Sequence, residues 1–156
     1  MTGGRAERPY VPEYGIPKSE KGTLPWTHVT DRLEGARYYW IVTADGSGRP
    51  HSVPTWGVWL VDTLYFGGGP HTRWSRNLAS NPEVAVHLES GVDVVIVEGT
   101  VDRITGPDDP MVERIDDAYE PKYEMRHGVP FWVLRPRLVF AWSEFPKDAT
   151  RWRFEA

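Results

Sequence analysis

YYWIVTADGSGRPHSVPTWGVWLVDTLYFG, residues 38–67, decides the fold class. Three runs rich in aromatic and β-branched residues, 38–44, 51–61 and 64–67, are separated by the turn signals Asp45-Gly46-Ser47-Gly48 and Asp62-Thr63. Such side chains suit the pleated, half-buried surface of a sheet, and short Gly/Asp links join neighbouring strands. The stretch therefore predicts an antiparallel meander. Pro54 has no N–H for a ladder, which puts the second strand at an edge or a bulge, where a ligand can reach backbone groups.

The pattern extends outward from this meander. Residues 83–89 set Val84, Val86 and Leu88 against Ala85, His87 and Glu89, residues 93–104 begin apolar on both faces and then alternate, and the link Ser90-Gly91-Val92 is short enough for a hairpin. The last strands are predicted at 131–134 and 138–145. Thr27 is the expected cap of a short helix reaching about Ala36, with Val29 and Leu33 on one face. Thr72 is the expected cap of a two-turn helix from Arg73 to Ser80, stopped by Asn81-Pro82. Residues 107–126 place Val112, Ile115 and Tyr119 on one helical face, and Pro121 is expected to end or kink that helix. Residues 1–25, with four prolines among glycines, read as an extended arm preceding one domain at 26–156. Six or seven strands, two or three short helices and no βαβ alternation predict a mainly β fold, a closed or partly closed antiparallel barrel.

Composition removes several chemistries. The 156 residues contain no cysteine, so disulfides, thiolate metal sites and a thiol nucleophile are excluded. The formal charge is −4, and 14 Arg and 4 Lys are scattered without a basic stripe, so no nucleic-acid or membrane partner is expected. No long apolar run or basic-then-apolar leader occurs, and a cytoplasmic protein is the expectation. The five His residues show no pair at ligand spacing, so no metal site is expected. His71 reads as a solvent-facing loop residue, and Asp108-Asp109 and Asp116-Asp117 read as solvated helix faces.

An anion must then be held locally, and residues 65–78, YFGGGPHTRWSRNL, have the parts for it. Consecutive glycines let backbone amides approach a ligand, and the loop leads into a helix N-terminus whose free N–H groups favour negative charge. At helical spacing Arg73, Arg76 and Asn77 share one face, while Trp74 and Leu78 share another.

The run Tyr39-Trp40-Ile41-Val42-Thr43-Ala44-Asp45-Gly46, with Gly48-Arg49-Pro50-His51, Val53-Pro54, Leu64-Tyr65-Phe66, Thr72-Arg73 and Arg76-Asn77-Leu78, is similar to the pyridoxamine 5′-phosphate oxidase-like split-barrel proteins. Within them it looks most like the flavin and deazaflavin oxidoreductases, over residues 27–143. The resemblance implies a six- to seven-stranded antiparallel split β-barrel and a homodimer. FMN or coenzyme F-420 would lie in a groove at the interface and exchange hydride or electrons with a small planar organic substrate. Carried over by position, Thr72 and Arg73 would hold the phosphate, with Arg76 and Asn77 supporting it. Val53, Pro54, Thr55 and Trp56, and Phe66, Gly67 and Gly68, would follow the ribityl chain and ring, and Trp132 would belong to the apolar wall. Trp74 is counted with these residues and stands where many relatives carry Lys, so one phosphate-binding charge is missing. No acid–base residue is assigned. The alternative is a non-enzymatic barrel that holds a flavin, haem or other aromatic ligand.

Overall fold

A computed structural model describes residues 4–155; Met1 to Gly3 of the arm, and Ala156, lie outside the described residues. The elements run β1 (Arg5–Glu7), α1 (Trp26–Gly35), β2 (Tyr39–Ala44), β3 (Pro50–Thr55), β4 (Gly57–Leu60), β5 (Thr63–Phe66), α2 (Arg73–Ser80), β6 (Glu83–His87), β7 (Val94–Ile104), α3 (Pro110–Tyr123), β8 (Phe131–Trp142) and β9 (Thr150–Arg153). All strand pairs are antiparallel, in the order β1-β9-β8-β7-β6-β2-β3, with β5 also joined to β8 and β4 to β5. The sheet does not close on itself, which makes this a split barrel.

The meander forms as its residues dictate. Tyr39 faces Thr55 and Ala44 faces Pro50 across β2 and β3. The turn is tied by Asp45, whose Oδ1 accepts from the Ser47 hydroxyl at 2.7 Å and from the amides of Ser47 and Arg49, each at 2.9 Å. Those bonds, the Ser47 hydroxyl first, pull the Asp45 carboxyl down to about 2. β3 ends the strand path, so Pro54 sits on the open edge its missing N–H requires. The predicted strand 51–61 is two strands because the chain changes partner at Trp56, from β2 to β5.

The nine strands of the described residues differ from the expected six or seven because of pairings between distant segments. The arm contributes β1, which pairs with β9 near the C-terminus, Arg5 opposite Arg153. The predicted strands 131–134 and 138–145 are one strand, because the β7 ladder shifts between Glu98 and Gly99 and accommodates Pro136 there. Arg8 fixes the rest of the arm to its own domain by donating to the carbonyls of Ser19, Lys21, Lys147 and Ala149 at 2.8–3.0 Å.

The helices correct three expectations. Pro25, not Thr27, is the cap position of α1, and no side chain caps it. Trp26 therefore opens the helix and packs its indole on Trp152 and Phe154, with Nε1 donating to Asp62 at 2.9 Å. α3 is shorter than 107–126: Asp109 caps it through the Met111 amide, Pro121 lies inside it, and Glu124 at φ 59° ends it. Asp109 and Asp116 are thus not merely solvated, since Asp116 is 7 % exposed and accepts from two main-chain amides. Two apolar clusters result. Val29 and Leu33 of α1 fill the barrel with Tyr39, Ile41, Val97 and Trp152, while Ile115, Tyr119 and Tyr123 of α3 cover Val58, Tyr65 and Phe131.

Candidate functional site

The helix α2 begins as its sequence predicts. Thr72 Oγ1 accepts from the Ser75 amide at 3.3 Å, and the Thr72 amide and hydroxyl both donate to the Gly69 carbonyl. Its residues then divide by burial. Trp74, Ser75, Asn77 and Leu78 face the barrel, whereas Arg73 and Arg76 are exposed. Asn77 thus leaves the face it was expected to share with the two arginines, and its Nδ2 donates to Thr43 Oγ1 at 3.0 Å, pinning α2 to β2. Arg32, Arg126, Arg135 and Arg137 each hold a carboxylate; among the described residues Arg73 and Arg76 hold none.

The glycine run is occupied by rings of the protein itself. A Cβ on Gly67 would fall on the His127 imidazole, and one on Gly68 would lie 2.5 Å from Cζ2 of Trp74. Gly69 alone is open, with only the Thr72 methyl within 4 Å, at 3.8 Å. Trp74 is 6 % exposed and also faces Phe66, ring centroids 5.7 Å apart. Phe66 and Trp132 are buried too. The Trp132 indole N–H reaches Ser75 Oγ at 3.4 Å, and the Arg103 guanidinium lies 4.2 Å from its ring centre.

Pro54, Thr55, Trp56 and Gly67 do come together, with Tyr38 and His127, around a cleft of about 280 Å³. Val53 lies beside them but packs on the barrel core. The Trp56 ring stacks on Tyr123 at 4.4 Å and 6° from parallel, giving the cleft a flat aromatic side. Behind it Lys122 Nζ donates to Tyr39 Oη at 2.7 Å and to the Gly57 carbonyl at 2.9 Å. Burial first, and then Arg37, pull the Lys122 amine down to about 8. Tyr123 Oη accepts from the Gly57 amide at 3.0 Å and donates to the Arg37 carbonyl at 2.7 Å. The Gly67-to-Thr72 loop runs from this cleft to the two free guanidinium groups. His71 is exposed on that loop, as expected.

Tyr38, Lys122, Tyr123 and His127 were not anticipated at the site. Tyr119 and Tyr123 at helical spacing mark an aromatic face of α3, but nothing local says that this face meets Trp56. Among the described residues no cluster of His, Asp and Glu is arranged to hold a metal, and no helix is long and apolar enough to cross a membrane.

An open antiparallel barrel with a capped, arginine-bearing helix beside an aromatic cleft defines a split-barrel protein. The chain belongs to the pyridoxamine 5′-phosphate oxidase family, whose sequence pattern matches residues 26–143. Among solved structures, an F-420 reductase is 23% identical over 70% of this chain and 93% of its own, with a TM-score of 0.54. HutZ, a haem storage protein from Vibrio cholerae, is 13% identical over 72% of this chain and 91% of its own, with a TM-score of 0.60. General Stress Protein 26 from Bacillus anthracis is 17% identical over 81% and 96%, with a TM-score of 0.63. At these identities the likeness concerns the fold. No curated protein matches the chain by sequence.

Proposed function

We propose that this protein is an oxidoreductase that binds coenzyme F-420 or FMN and acts on a small planar organic substrate. The observation that carries the reading is the pair Arg73 and Arg76, exposed and without carboxylate partners at the Thr72-capped start of α2. Two free guanidinium groups at a helix N-terminus suit a phosphate through charge-assisted hydrogen bonds. Open Gly69 lets a phosphate approach the backbone, and the side of the cleft formed by Trp56 stacked on Tyr123 suits a flat ring. The residues present therefore fit a ligand with a flat ring at one end and a phosphate at the other.

When bound, the flavin or deazaflavin ring supplies the hydride or electron chemistry. The protein's part is to hold and shield it. Arg73 and Arg76 fix the phosphate, Thr72 keeps the helix N-terminus in place, and Thr55 and the edge backbone at Pro54 offer polar contacts along the chain. The Trp56–Tyr123 stack keeps water from one side. Trp74 lies in the core rather than at the phosphate, so the charge there comes from Arg73 and Arg76 alone.

The working form is a homodimer. The outer face of the sheet carries Trp40, Ile96, Phe140 and Trp142, half-buried apolar side chains on β2, β7 and β8, the last three sharing an open groove with Tyr10 and Tyr14 of the arm and with Phe145. A soluble monomer rarely leaves so continuous an apolar row to water. A second reading, a non-enzymatic carrier of a flavin, haem or other aromatic ligand, is favoured by the burial of Trp74, which leaves position 74 without a charge for a phosphate.

The test is a visible spectrum of the purified protein, followed by titration with FMN, coenzyme F-420 and haemin. Saturable binding of FMN or F-420 with hydride transfer to a quinone acceptor supports the oxidoreductase. Binding of haemin alone, or binding without turnover, would favour the carrier.

A further inference from the structure

His127 is the polar group that the fold holds most firmly at the cleft. It follows α3, and the buried carboxylate of Asp116 accepts from the main-chain amides of His127 at 2.9 Å and Gly128 at 3.0 Å, fixing the turn. The imidazole sets its Cε1 side against Gly67 and lies between Tyr119 and Phe131, with ring centroids 5.3 and 5.1 Å away. Glycine at 67 is what admits the ring. Nδ1 is 2.7 Å from the carbonyl oxygen of Gly128. A carbonyl cannot donate, so Nδ1 carries the hydrogen, and the neutral ring presents Nε2 as a lone pair. Among the described residues no protein group bonds to Nε2, and the residue lines the cleft together with Pro54 and Thr55.

We propose that His127 is the acid–base residue of this cleft, exchanging a proton at Nε2 with a small conjugated carbonyl compound such as a quinone. This rests on the oxidoreductase reading. In a reduction, the dihydro form of the flavin or deazaflavin is the reductant, and its hydride brings two electrons to the electron-poor atom of the substrate. The substrate π bond breaks, and the atom that receives its electrons takes the proton from imidazolium Nε2. The ring is left neutral and recovers a proton from water. The titratable groups around it are Asp116 and Tyr119 from α3, and Tyr38, which lines the same cleft. Arg126, next in sequence, is engaged by Asp117 and Glu120, and Lys122 is turned to Tyr39 and Gly57. An imidazole held through Nδ1, with Nε2 free of protein partners in a cleft open to water, can load a proton and hand it on, and such groups contribute about 10²–10⁴ in rate.

The experiment uses the full chain and two variants. His127→Phe keeps the ring packing, and His127→Gln keeps a polar side chain that does not titrate. Nitrogen-15 NMR of histidine-labelled protein, with His127→Gln assigning the signal, should show the Nδ1–H tautomer and a shift of Nε2 when menadione is added to the protein alone. An Nε2–H tautomer, or no response to menadione, overturns the proposal whether or not a cofactor binds. In cofactor-loaded protein both variants should keep affinity within about twofold, lose about a hundredfold in kcat for menadione, and lose the imidazole limb of the pH profile. Unchanged kcat and pH profile in both variants also overturn it. Failure of the wild type to bind FMN or F-420 would instead refute the oxidoreductase reading, and the NMR result would still decide whether His127 meets a quinone.

Discussion

The indole of Trp74 stands in the space that a side chain at Gly68 would need, 2.5 Å from where its Cβ would lie. The two residues are therefore one packing unit, and the ring is held from its other neighbour by Phe66 at 5.7 Å. Trp74→Lys would put an ammonium into a core site and empty the space above Gly68. Removing a buried indole costs about 3–5 kcal/mol. The variant is expected to melt at lower temperature and to gain no FMN affinity. Tighter FMN binding at unchanged melting temperature would show that position 74 still belongs to the phosphate site.

Arg73→Ala addresses the phosphate end directly. The side chain is exposed and holds no carboxylate, so the fold loses little when it goes. A charge-assisted bond to phosphate contributes about 1.5–3 kcal/mol, which is roughly ten- to a hundredfold in affinity. Titration of FMN and F-420 into the variant should show that loss at a wild-type melting temperature. If both ligands bind as before, the phosphate lies elsewhere.

What could be read from the sequence was local. The Thr72 cap reaches only three residues ahead to Ser75, and the β2–β3 hairpin is closed by Asp45 within its own turn, so short-range chemistry fixed both. What escaped was made by distant contacts. His127 reaches the cleft because α3 docks on the barrel and Asp116 grips residues 11 and 12 positions later. Asp116 is spelled like a surface residue, and nothing nearby in the chain reveals its partners. The strands expected at 131–134 and 138–145 are one because Arg137, beside Pro136, is the extra residue where the register shifts opposite Glu98 and Gly99, and only the pairing with β7 reveals that. The glycine run, read from the sequence as room for a ligand, is glycine at two of its positions because His127 and Trp74 lie on them.

Lys122 gives a pH signature. Its folded value is about 8 against an ordinary 10.5, lowered first by burial and then by Arg37. Below 8 both states hold the proton and the cost of burying the ammonium is present in full. Between 8 and 10.5 the unfolded chain binds the proton that the folded chain has released, so stability rises with pH in that window. The buried phenols of Tyr39 and Tyr119, which burial holds protonated, act in the opposite direction above about pH 10. Urea midpoints should therefore increase from about pH 8 to 10 in the wild type. Lys122→Met should lack that increase, and an identical slope in both proteins would remove Lys122 as its source.

The outer sheet face tests the homodimer. Trp40 faces His87, His87 faces Ile96 and Ile96 faces Phe140, so the register lays one row across β2, β6, β7 and β8. Trp40 and His87 stack within that row, rings 6.2 Å apart and 4° from parallel, which flattens it. The row runs into a groove of about 640 Å³ that Ile96, Phe140 and Trp142 share with Tyr10, Tyr14 and Phe145, and such an apolar surface suits a two-fold contact, in which the same patch meets itself. Ile96→Glu would place two like charges near the centre of such a contact, without a buried partner to neutralise them, and should break it. Val61→Glu is the control, because Val61 is an exposed apolar residue at 66 %, on the β4–β5 turn away from the row. Light scattering is expected to give about twice the 17.8 kDa chain mass for the wild type and for Val61→Glu, and the single mass for Ile96→Glu. If the groove is completed by the second subunit, Ile96→Glu should also lose cofactor affinity although it touches no part of the cleft. A monomeric wild type with cofactor present would sink the dimer, whereas a monomeric Ile96→Glu that binds cofactor normally would keep the dimer and confine the site to one chain.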